Sequence, residues 1–498
     1  MPSAIVLATV NAKYIHASLG LRYLFANMGE LRSQTRLLEF THDRPAAEIV
    51  EKILAEKPRI VGLGVYIWNT VYTAEIVAIL KAVAPEVLVV LGGPEVSHET
   101  ELQAVVQQAD FVITGQADLA FAQLCRQILA GAVPRKISHA ETAELGQIQW
   151  PYAEYSDHDL QTRLVYVEAS RGCPFRCAFC LSALDKTAVP FDLERFLEQM
   201  RRLYDRGLRH FKFVDRTFNL QLGHSAAILD FFLERLTPEL FLHFEMIPDR
   251  LPEPLRERLA QFLPGTLQLE IGIQTLNPAS QKQIDRVQDM ERSAANLRWL
   301  REHTHAHLHV DLIAGLPGED MASFSKGFNW LYGLGVHEIQ VGVLKRLRGT
   351  PLAERAQNLG LHFDPVPPYL VLQTPDWPFA DLQRLSRLAR YWDLVGNSAR
   401  FPHLLPLLLA DAPFARLLAF GDWLFATTAQ THQLSVDRLG KLLLAWLVGD
   451  GGCVAETAEH AGRDDQTHQA RAVAKSRRAR QDRSVAAENA VAATGGSR

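Results

Sequence analysis

Three of the five cysteines in this chain lie within eight positions, in the sequence SRGCPFRCAFC over residues 170–180. Cys173, Cys177 and Cys180 are spaced by four and three residues, so their thiolates can turn toward one inorganic centre from a single short loop. A 4Fe–4S cluster that is held by only three cysteines keeps one iron without a protein ligand. A small molecule can bind and react at that iron.

Two other uses of these cysteines fit the sequence less well. A structural zinc ion takes four protein ligands, usually as two pairs, whereas Cys125 and Cys453 are isolated and the nearest histidines are His158 and His210. Disulfide pairing would leave one of the three cysteines over, and we expect no secretory signal because the apolar run before Asn11 is short. The spacing therefore favours a cluster.

The C-x3-C-x2-C pattern, with the aromatic Phe179 before its last cysteine, resembles the motif of the radical S-adenosylmethionine (SAM) enzymes. The resemblance implies that the three cysteines bind three irons of a 4Fe–4S cluster and that SAM chelates the fourth. An electron from the cluster would then cleave SAM and give a 5′-deoxyadenosyl radical. Arg171 and Arg176 either offset the charge of the cluster or are ordinary solvated loop residues.

The composition is that of a soluble globular protein, with 48% hydrophobic and 22% charged residues. A chain of 498 residues exceeds what one hydrophobic core usually serves, so we expect two or three domains. The net charge of −4 gives no support for a broad nucleic-acid-binding surface, although it does not exclude a local basic groove. No apolar run approaches membrane-spanning length. Few cysteines indicate a reducing compartment, so we expect a cytoplasmic protein without a membrane partner.

Short apolar runs alternate with amphipathic helical stretches over residues 1–130. Five alternating units predict a doubly wound, flavodoxin-like α/β domain with a parallel sheet and helices on both faces. Its ligand crevice should lie beyond the carboxyl ends of the strands. The predicted strands are 3–9, 34–40, 59–65, 87–91 and 110–114, and the predicted helices lie near 17–28, 45–56, 70–83, 98–108 and 118–130.

The loops at these strand ends carry glycine pairs and aromatic residues. Glycine lets a backbone approach a flat ligand closely, and Tyr66 and Trp68 offer apolar walls. No G-x-G-x-x-G follows the first strand, so the dinucleotide fingerprint is absent. On spacing alone, a flavodoxin-like domain without a ligand is the simpler interpretation.

The position of this domain directly before the cysteine motif resembles the cobalamin-binding domain of the cobalamin-dependent radical SAM enzymes. Because the D-x-H-x-x-G signature of many cobalamin proteins is missing, we expect binding without histidine ligation, with His16 and His98 as ordinary loop or helix residues. The resemblance implies cobalamin contacts from Tyr14, Tyr66, Trp68, Asn69, Gly92, Gly93, Pro94, Gly115 and Gln116.

A linker over residues 131–163 leads to a second series of strands and helices over 164–343. Six β/α units predict a partial (β/α)6 barrel, as in the radical SAM core, with its chemistry at the carboxyl ends of the strands. The predicted strands are 164–169, 210–215, 241–246, 267–273, 307–314 and 338–343, and the predicted helices lie near 191–205, 223–236, 253–263, 291–303 and 320–334.

Polar residues at the later strand ends are candidates for SAM contacts. Residues 270–275 closely resemble the family's E-x-G-x-Q-[ST] segment, in which the carboxylate and the amide lie on one face of an extended chain. Residues 311–319 end in a sequence that resembles the G-x-P-G-E loop, which is also compatible with a plain strand-to-helix turn. The resemblance implies SAM contacts from Phe179, Asp215, Asn219, Glu270, Gln274 and Asp311.

In the last third of the chain, the alternation of predicted strands and helices gives way to a mostly helical pattern. Residues 344–450 are predicted to form a mostly helical domain, which resembles the C-terminal region of an uncharacterised group of cobalamin-domain radical SAM proteins. Residues 451–498 lack sustained apolar periodicity and are predicted to form a disordered tail.

Together these resemblances imply a cobalamin-dependent radical SAM enzyme, with methyl transfer to an unactivated carbon as the first interpretation. A non-methylating rearrangement is an alternative within the class. Another alternative makes the N-terminal domain a macromolecule-recognition module without cobalamin, as in the tRNA methylthiotransferases, whose additional cysteines are missing here. An electron donor such as flavodoxin or ferredoxin is expected, and the substrate cannot be inferred from these motifs.

Overall fold

The computed structural model describes residues 4–470, which begin with a six-stranded parallel sheet. The strand order is β2-β1-β3-β4-β5-β6, so the doubly wound α/β prediction is confirmed. The strands are β1 Ile5–Asn11, β2 Thr35–Thr41, β3 Ile60–Gly64, β4 Leu88–Gly92, β5 Phe111–Gly115 and β6 Ile137–Ala140. The helices are α1 Leu19–Ala26, α2 Ala46–Ala55, α3 Thr70–Val83, α4 Ala104–Gln108 and α5 Ala120–Leu129.

Burial on both faces explains the continuous apolar character of β1. Val6 and Ala8 pack in one core with residues of α2 and α3, whereas Ile5 and Leu7 pack in another with residues of α1 and α5. Parallel strands that are covered on both sides need apolar residues at every position. The strand order reverses between β1 and β3, and a crevice opens at such a switch point.

The sheet extends into the segment that was predicted to be a linker. β6 pairs with β5 in parallel, for example Ile113 with Ser138. The prediction of five strands missed it because this edge strand is four residues long and contains Ser138 and His139 in its middle. The rest of the segment up to residue 163 contains short turns and the helix α6, Asp157–Thr162.

A second six-stranded parallel sheet follows, in the order β14-β13-β12-β11-β10-β7, and confirms the partial barrel. A short antiparallel pair, β8 Ser170–Arg171 and β9 Val189–Pro190, encloses the cysteine loop. The other strands are β7 Val165–Val167, β10 His210–Phe213, β11 Phe241–Met246, β12 Leu267–Gln274, β13 His307–Ala314 and β14 Glu338–Val343. The helices are α7 Leu193–Asp205, α8 Leu222–Leu233, α9 Glu253–Leu259, α10 Pro278–Gln283, α11 Met290–His303 and α12 Met321–Gly333.

The C-terminal region is mostly helical, as predicted, and its core is continuous with that of the barrel. Trp377 and Tyr391 are fully buried, and Trp392 donates a hydrogen bond to the carbonyl of Ile339 on β14. None of the helices among residues 4–470 is long and apolar enough to cross a membrane. The elements are α13 Pro351–Arg355, β15 His362–Phe363, β16 Val371–Gln373, α14 Phe379–Trp392, a π-helical turn Asp393–Asn397, α15 Leu404–Leu409, α16 Pro413–Thr428 and α17 Val436–Val448.

Residues 455–470 are helical, so the prediction of a disordered tail from residue 451 is wrong for this segment. Ala458 is fully buried, and the carboxylate of Asp465 accepts hydrogen bonds from the backbone N–H groups of His403 and Leu404 at 2.9 and 3.0 Å. An alanine-rich stretch with few large apolar residues is compatible with a helix that docks through small side chains. The remainder of the predicted tail, residues 471–498, lies outside the described residues.

Candidate active site between the two sheets

The cysteine loop leaves the first barrel strand through Gly172, whose φ of 87° favours glycine. A Cβ at this position would overlap the carbonyl oxygen of Thr187. Cys173 donates its N–H to the carbonyl of Asp185 at 3.1 Å, and Ala178 donates to the carbonyl of Ile284 at 2.8 Å. The loop is therefore held by its own backbone, and all three cysteines line one cavity of about 170 Å³, the cysteine cavity.

The sulfur positions fit a cluster better than a single zinc ion. Among residues 4–470, the three thiols do not form a group whose sulfur atoms all lie within 4.8 Å of one another. Tetrahedral zinc with Zn–S bonds of about 2.3 Å would bring its sulfurs to roughly 3.8 Å. A wider spacing suits a cluster in which each thiolate binds its own iron.

Arg286 brings a positive charge to the cysteine cavity. Its Nη1 lies 3.3 Å from the Sγ of Cys177, and its Nη2 donates to the carbonyl of Gly272. The sequence analysis missed Arg286, because 109 residues separate it from Cys177 and no motif marks the segment. A guanidinium in this position can donate a hydrogen bond to a thiolate and offset its charge.

Four of the six predicted SAM contacts, Phe179, Glu270, Gln274 and Asp311, line the cysteine cavity. Gln274 lies at a register shift between β12 and β13 and has a φ of 70°, a strained value for a residue with a side chain. Its Oε1 is buried without a hydrogen-bond partner among the described residues. Buried amide oxygens are rarely left unpaired, so this one fits a ligand that donates a hydrogen bond.

The other two predicted SAM contacts do not reach this cavity. Asp215 accepts hydrogen bonds from the N–H of Ala169 at 2.9 Å and from the Oγ of Ser170 at 2.6 Å, which fixes the start of the cysteine loop. Burial raises the pKa of Asp215 to about 7. Asn219 donates to the carbonyl of Ile247 and accepts its N–H, at 2.8 and 3.0 Å. The side chains of Asp215 and Asn219 therefore stabilise neighbouring loops through these hydrogen bonds.

Arg216 and Thr217 line the cysteine cavity in place of those two residues. The Oγ1 of Thr217 lies 3.9 Å from the Sγ of Cys173, and Arg216 pairs with Glu245 at 3.3 Å. The segment predicted to contact SAM therefore reaches the cavity, but through Arg216 and Thr217. Past the end of β10 the alternation of a strand no longer determines which side chains face the cavity.

A network of histidines and carboxylates forms the floor beneath Glu270 and Asp311. His243 shares a hydrogen bond of 2.8 Å with Glu270, and His309 lies 3.3 Å from Asp311 and 3.0 Å from Glu338. Burial opposes the charge on His309, but the hydrogen bonds to Asp311 and Glu338 outweigh it and raise the pKa of His309 to about 10. Hydrogen bonds from His307 and, second, from His309 lower the pKa of Glu338 to about 2.

This floor was not predicted as part of the site, although the sequence carries a signal for it. Polar residues alternate along β11, β13 and β14, which places them on one face of each strand. A closed barrel of this class fills its interior with apolar layers. Here the described lumen is charged, and its residues are His243, Glu245, His309, Asp311, Glu338 and Gln340.

A second cavity of about 440 Å³, the inter-module cavity, lies at the carboxyl ends of the N-terminal strands and faces the barrel. Gly93 has a φ of 112°, and a Cβ there would overlap the carbonyl oxygen of Val65, so only glycine fits this turn. The cavity wall is largely apolar, which suits a large flat cofactor. Its lining includes five predicted cobalamin contacts, namely Tyr66, Gly92, Gly93, Gly115 and Gln116.

The other predicted cobalamin contacts lie outside this lining. Trp68 stacks on Tyr66 with ring centroids 4.4 Å apart and supports it from the solvent side. Asn69 is buried and donates to the carbonyls of Val10 and Gly64, so it shapes the loop. Pro94 begins a 3₁₀ turn, and the exposed Tyr14 bonds to His158.

The two histidines that were set aside as cobalt ligands are engaged elsewhere. The Nδ1 of His16 shares a hydrogen bond of 2.6 Å with the hydroxyl of Tyr166. The ring of His98 packs against Gly349, where a Cβ would overlap it. Neither histidine lines the inter-module cavity.

Ion pairs join the two modules on either side of this cavity. Arg171 donates two hydrogen bonds to Asp118 and one to Glu168, so its guanidinium is directed at the inter-module cavity rather than at the cluster. On the other side, Arg348 pairs with Glu95 at 2.8 Å, and the hydroxyl of Tyr369 donates to the same carboxylate at 2.9 Å. Buried pairs of this kind fix relative orientation.

Comparisons with known proteins agree with this division. Residues 5–125 match the B12 binding domain family, and residues 167–331 match the Radical SAM superfamily. The 2-(S-pantetheinyl)-carbapenam-3-carboxylate methyltransferase of Streptantibioticus cattleyicolor is 25% identical over 64% of this chain and 52% of its own length. The cobalamin-dependent radical SAM methyltransferase TokK of Streptomyces tokunonensis is 25% identical over 67% of this chain and 53% of its own length. The chain thus spans about half the length of the curated relatives it matches.

Solved structures with the same arrangement support the fold. TsrM from Kitasatospora setae, solved with cobalamin and a [4Fe-4S] cluster bound, has a TM-score of 0.61 at 18% identity over 94% of this chain and 100% of its own. OxsB, solved with aqua-cobalamin bound, also has a TM-score of 0.61, at 14% identity over 94% of this chain and 81% of its own. With a thiol-lined cavity on one side and a glycine-walled cavity on the other, the cofactors are SAM, a 4Fe–4S cluster and cobalamin. The chain therefore combines, in this order, a domain that matches the B12 binding domain family and a domain that matches the Radical SAM superfamily.

Proposed function

We propose that this protein is a cobalamin-dependent radical SAM methyltransferase that transfers a methyl group to an unactivated carbon. The observation that carries the proposal is that the cysteine loop forms a wall of both cavities. Cys177 and Cys180 face the cysteine cavity, whereas Ser182 and Asp185 of the same loop face the inter-module cavity. A methyl carrier in one cavity and a radical source in the other would thus be separated by a single loop.

When they are bound, the cluster and SAM supply a carbon-centred radical, and cobalamin carries the methyl group. The chain's own residues would bind these cofactors and orient them. The unpaired Oε1 of Gln274 and the carboxylate of Asp311 would accept hydrogen bonds from polar groups of SAM. Arg286 offsets negative charge at the thiolates. Preorganised charges in a site that excludes water lower the cost of such chemistry.

The names of the relatives support methyl transfer, since two that cover about two thirds of this chain are methyltransferases. A non-methylating radical reaction is the alternative, and it shares every cofactor. The cavities alone do not separate the two reactions, so product analysis decides between them.

We further propose that the enzyme works in the cytoplasm and takes electrons from a flavodoxin or ferredoxin. All five cysteines are unpaired, which agrees with a reducing compartment. Small acidic electron carriers match the guanidinium groups near the cysteine cavity, which include Arg216 and Arg286.

The test is anaerobic purification with cobalamin supplied, followed by iron, sulfide and cobalt analysis. We expect about four irons and four sulfides per chain, as a cubane cluster requires, together with cobalt. With SAM and dithionite, the enzyme should release 5′-deoxyadenosine and S-adenosylhomocysteine. The control replaces Cys173, Cys177 and Cys180 by alanine, which should abolish iron binding. Iron retained in that variant would refute the cluster site, and no cobalt at saturating cobalamin would refute the methyl carrier.

A further inference from the structure

A third cavity, of about 650 Å³, opens along the edge of the barrel, and we call it the edge cavity. It is bounded by β14 on one side and by the π-helical turn Asp393–Asn397 on the other. Phe179 lines both the edge cavity and the cysteine cavity. A ligand in the edge cavity can therefore reach the residue directly before Cys180.

β14 is the edge strand of its sheet, so the N–H and C=O groups of every second residue point away from β13. Leu344 donates its N–H to the carbonyl of Ala314 on β13, which shows that even-numbered residues direct their N–H and C=O groups toward β13. The backbone N–H and C=O groups of Ile339 point away from β13, since both bond to the side chain of Asn397. By the same alternation, Val341 and Val343 present their N–H and C=O groups to the cavity side.

The side chain of Asn397 imitates a neighbouring strand. Its Oδ1 accepts the N–H of Ile339 at 3.1 Å, and its Nδ2 donates to the carbonyl of Ile339 at 3.0 Å. A primary amide thus makes the two hydrogen bonds that a peptide group of an added strand would make.

Beyond the capped residue Ile339, the outward edge of β14 is uncapped. For residues 4–470, the outward backbone groups of Val341 and Val343 have no hydrogen-bond partner. The stretch from Val341 to Val343 spans three residues, or about 10 Å, which is enough for one or two amide units in an extended chain. Edge strands with unpaired N–H and C=O groups pair readily with another extended chain.

Charged residues near the ends of this stretch favour one orientation of a bound ligand. Glu338 and Asp393 line the cavity near the beginning of β14, and Lys345 lines it at the end. The Lys345 side chain is exposed to solvent. Because Glu338 is already paired with His309, Lys345 is the charge left to a ligand, and a chain that runs parallel to β14 would place an acidic end near it.

We propose that the methyl acceptor is an extended, amide-bearing molecule, a short peptide or a peptide-like chain with a terminal carboxylate, that pairs with the edge of β14. The amide units bond to Val341 and Val343, the carboxylate lies at Lys345, and the reacting carbon is carried past Phe179 toward the cysteine cavity. This proposal rests on the proposed function, because it names the substrate class of that site.

The test uses the full chain, loaded with cluster and cobalamin, and two probes. The first probe is N-acetyl-alanyl-alanine, and the second is its ester analogue, in which an oxygen replaces the central amide N–H. Binding is measured by saturation-transfer NMR titration. We expect the amide to bind about fivefold more tightly than the ester, which is the effect of one hydrogen bond. Equal affinities of the two probes would overturn the proposal.

Two variants of one residue test the protein's side of the same contact. Val341→Pro removes the outward N–H without touching the inward ladder, and edge strands tolerate proline in this orientation. Val341→Ala keeps the N–H and is the matched control. We expect Val341→Pro to bind the amide probe about fivefold more weakly and Val341→Ala to bind it normally. Unchanged binding by Val341→Pro would overturn the proposal.

Other occupants of the edge give different results. If a chain that ends at residue 470 binds the amide probe more tightly than the full chain, the edge is occupied by this chain's own residues 471–498. If light scattering shows a dimer that Val341→Pro dissociates, the edge pairs with a second copy. Either result overturns the substrate assignment. Iron content, cobalt content and 5′-deoxyadenosine release need no acceptor, so they test the proposed function separately.

Discussion

Arg171, two residues before Cys173, donates hydrogen bonds to both carboxylate oxygens of Asp118 at 2.9 and 3.0 Å. Asp118 belongs to the N-terminal module, so the start of the cysteine loop is fastened directly to the domain that forms the inter-module cavity. The guanidinium also lies 4.7 Å from the ring centroid of Tyr23. One side chain thereby ties the position of the cluster loop to the position of the other cofactor site.

We expect Asp118→Asn to lower the free energy of unfolding by about 2 kcal/mol, because it removes two charge-assisted hydrogen bonds from a mostly buried guanidinium and leaves it with Glu168 as a charged partner. The measurement is chemical denaturation of the metal-free protein, followed by cobalt analysis of the loaded protein. Glu30→Gln removes the partner of Arg126 in an exposed pair and is the control, with little expected change in the free energy of unfolding. Equal losses in the two variants would contradict the interpretation.

The helix over residues 455–470 should contribute to stability through Asp465. We expect Asp465→Ala to lower the free energy of unfolding by about 2 kcal/mol, because it removes the acceptor for the N–H groups of His403 and Leu404. Asp464→Ala, at the neighbouring and partly exposed position, should have little effect. Thermal or urea unfolding provides the measurement. If the two variants behave alike, the docking of this helix is wrong.

The charged floor of the barrel should give stability a particular dependence on pH. The pKa of His309 is raised from 6.5 to about 10, so the folded state holds this proton more tightly than the unfolded state. The resulting stabilisation is complete below pH 6.5 and is lost as the pH rises toward 10. We expect the difference in unfolding free energy between wild type and His309→Gln to shrink over that range. His432→Gln, at an exposed position, should show no such trend.

Arg286 should influence the cluster itself. Its guanidinium lies 3.3 Å from the Sγ of Cys177 and stabilises added negative charge. Arg286→Gln should therefore shift the reduction potential of the cluster to a more negative value, whereas Arg286→Lys should restore part of it. A redox titration followed by electron paramagnetic resonance measures the shift. Identical potentials for the glutamine and lysine variants would show that the charge is without effect.

Local patterns were sufficient to predict both sheets and the cysteine loop, because period-two runs and cysteine spacing are properties of contiguous sequence. Local patterns failed where contacts between residues far apart in the sequence determine the structure. The contact of Arg286 with Cys177 joins segments far apart in the chain, and β6 is a strand only because β5 offers it an edge. On the loop after β10, backbone turns direct Arg216 and Thr217 into the cavity instead of Asp215.

The wall that the cysteine loop forms between the two cavities has a thermodynamic consequence. If an occupant on one side shifts the backbone between Cys180 and Asp185, the opposite side changes its affinity as well. Linkage then requires reciprocity, so the factor by which cobalamin alters SAM affinity equals the factor by which SAM alters cobalamin affinity. The order in which the two are loaded would change the path but not the final distribution of occupied states.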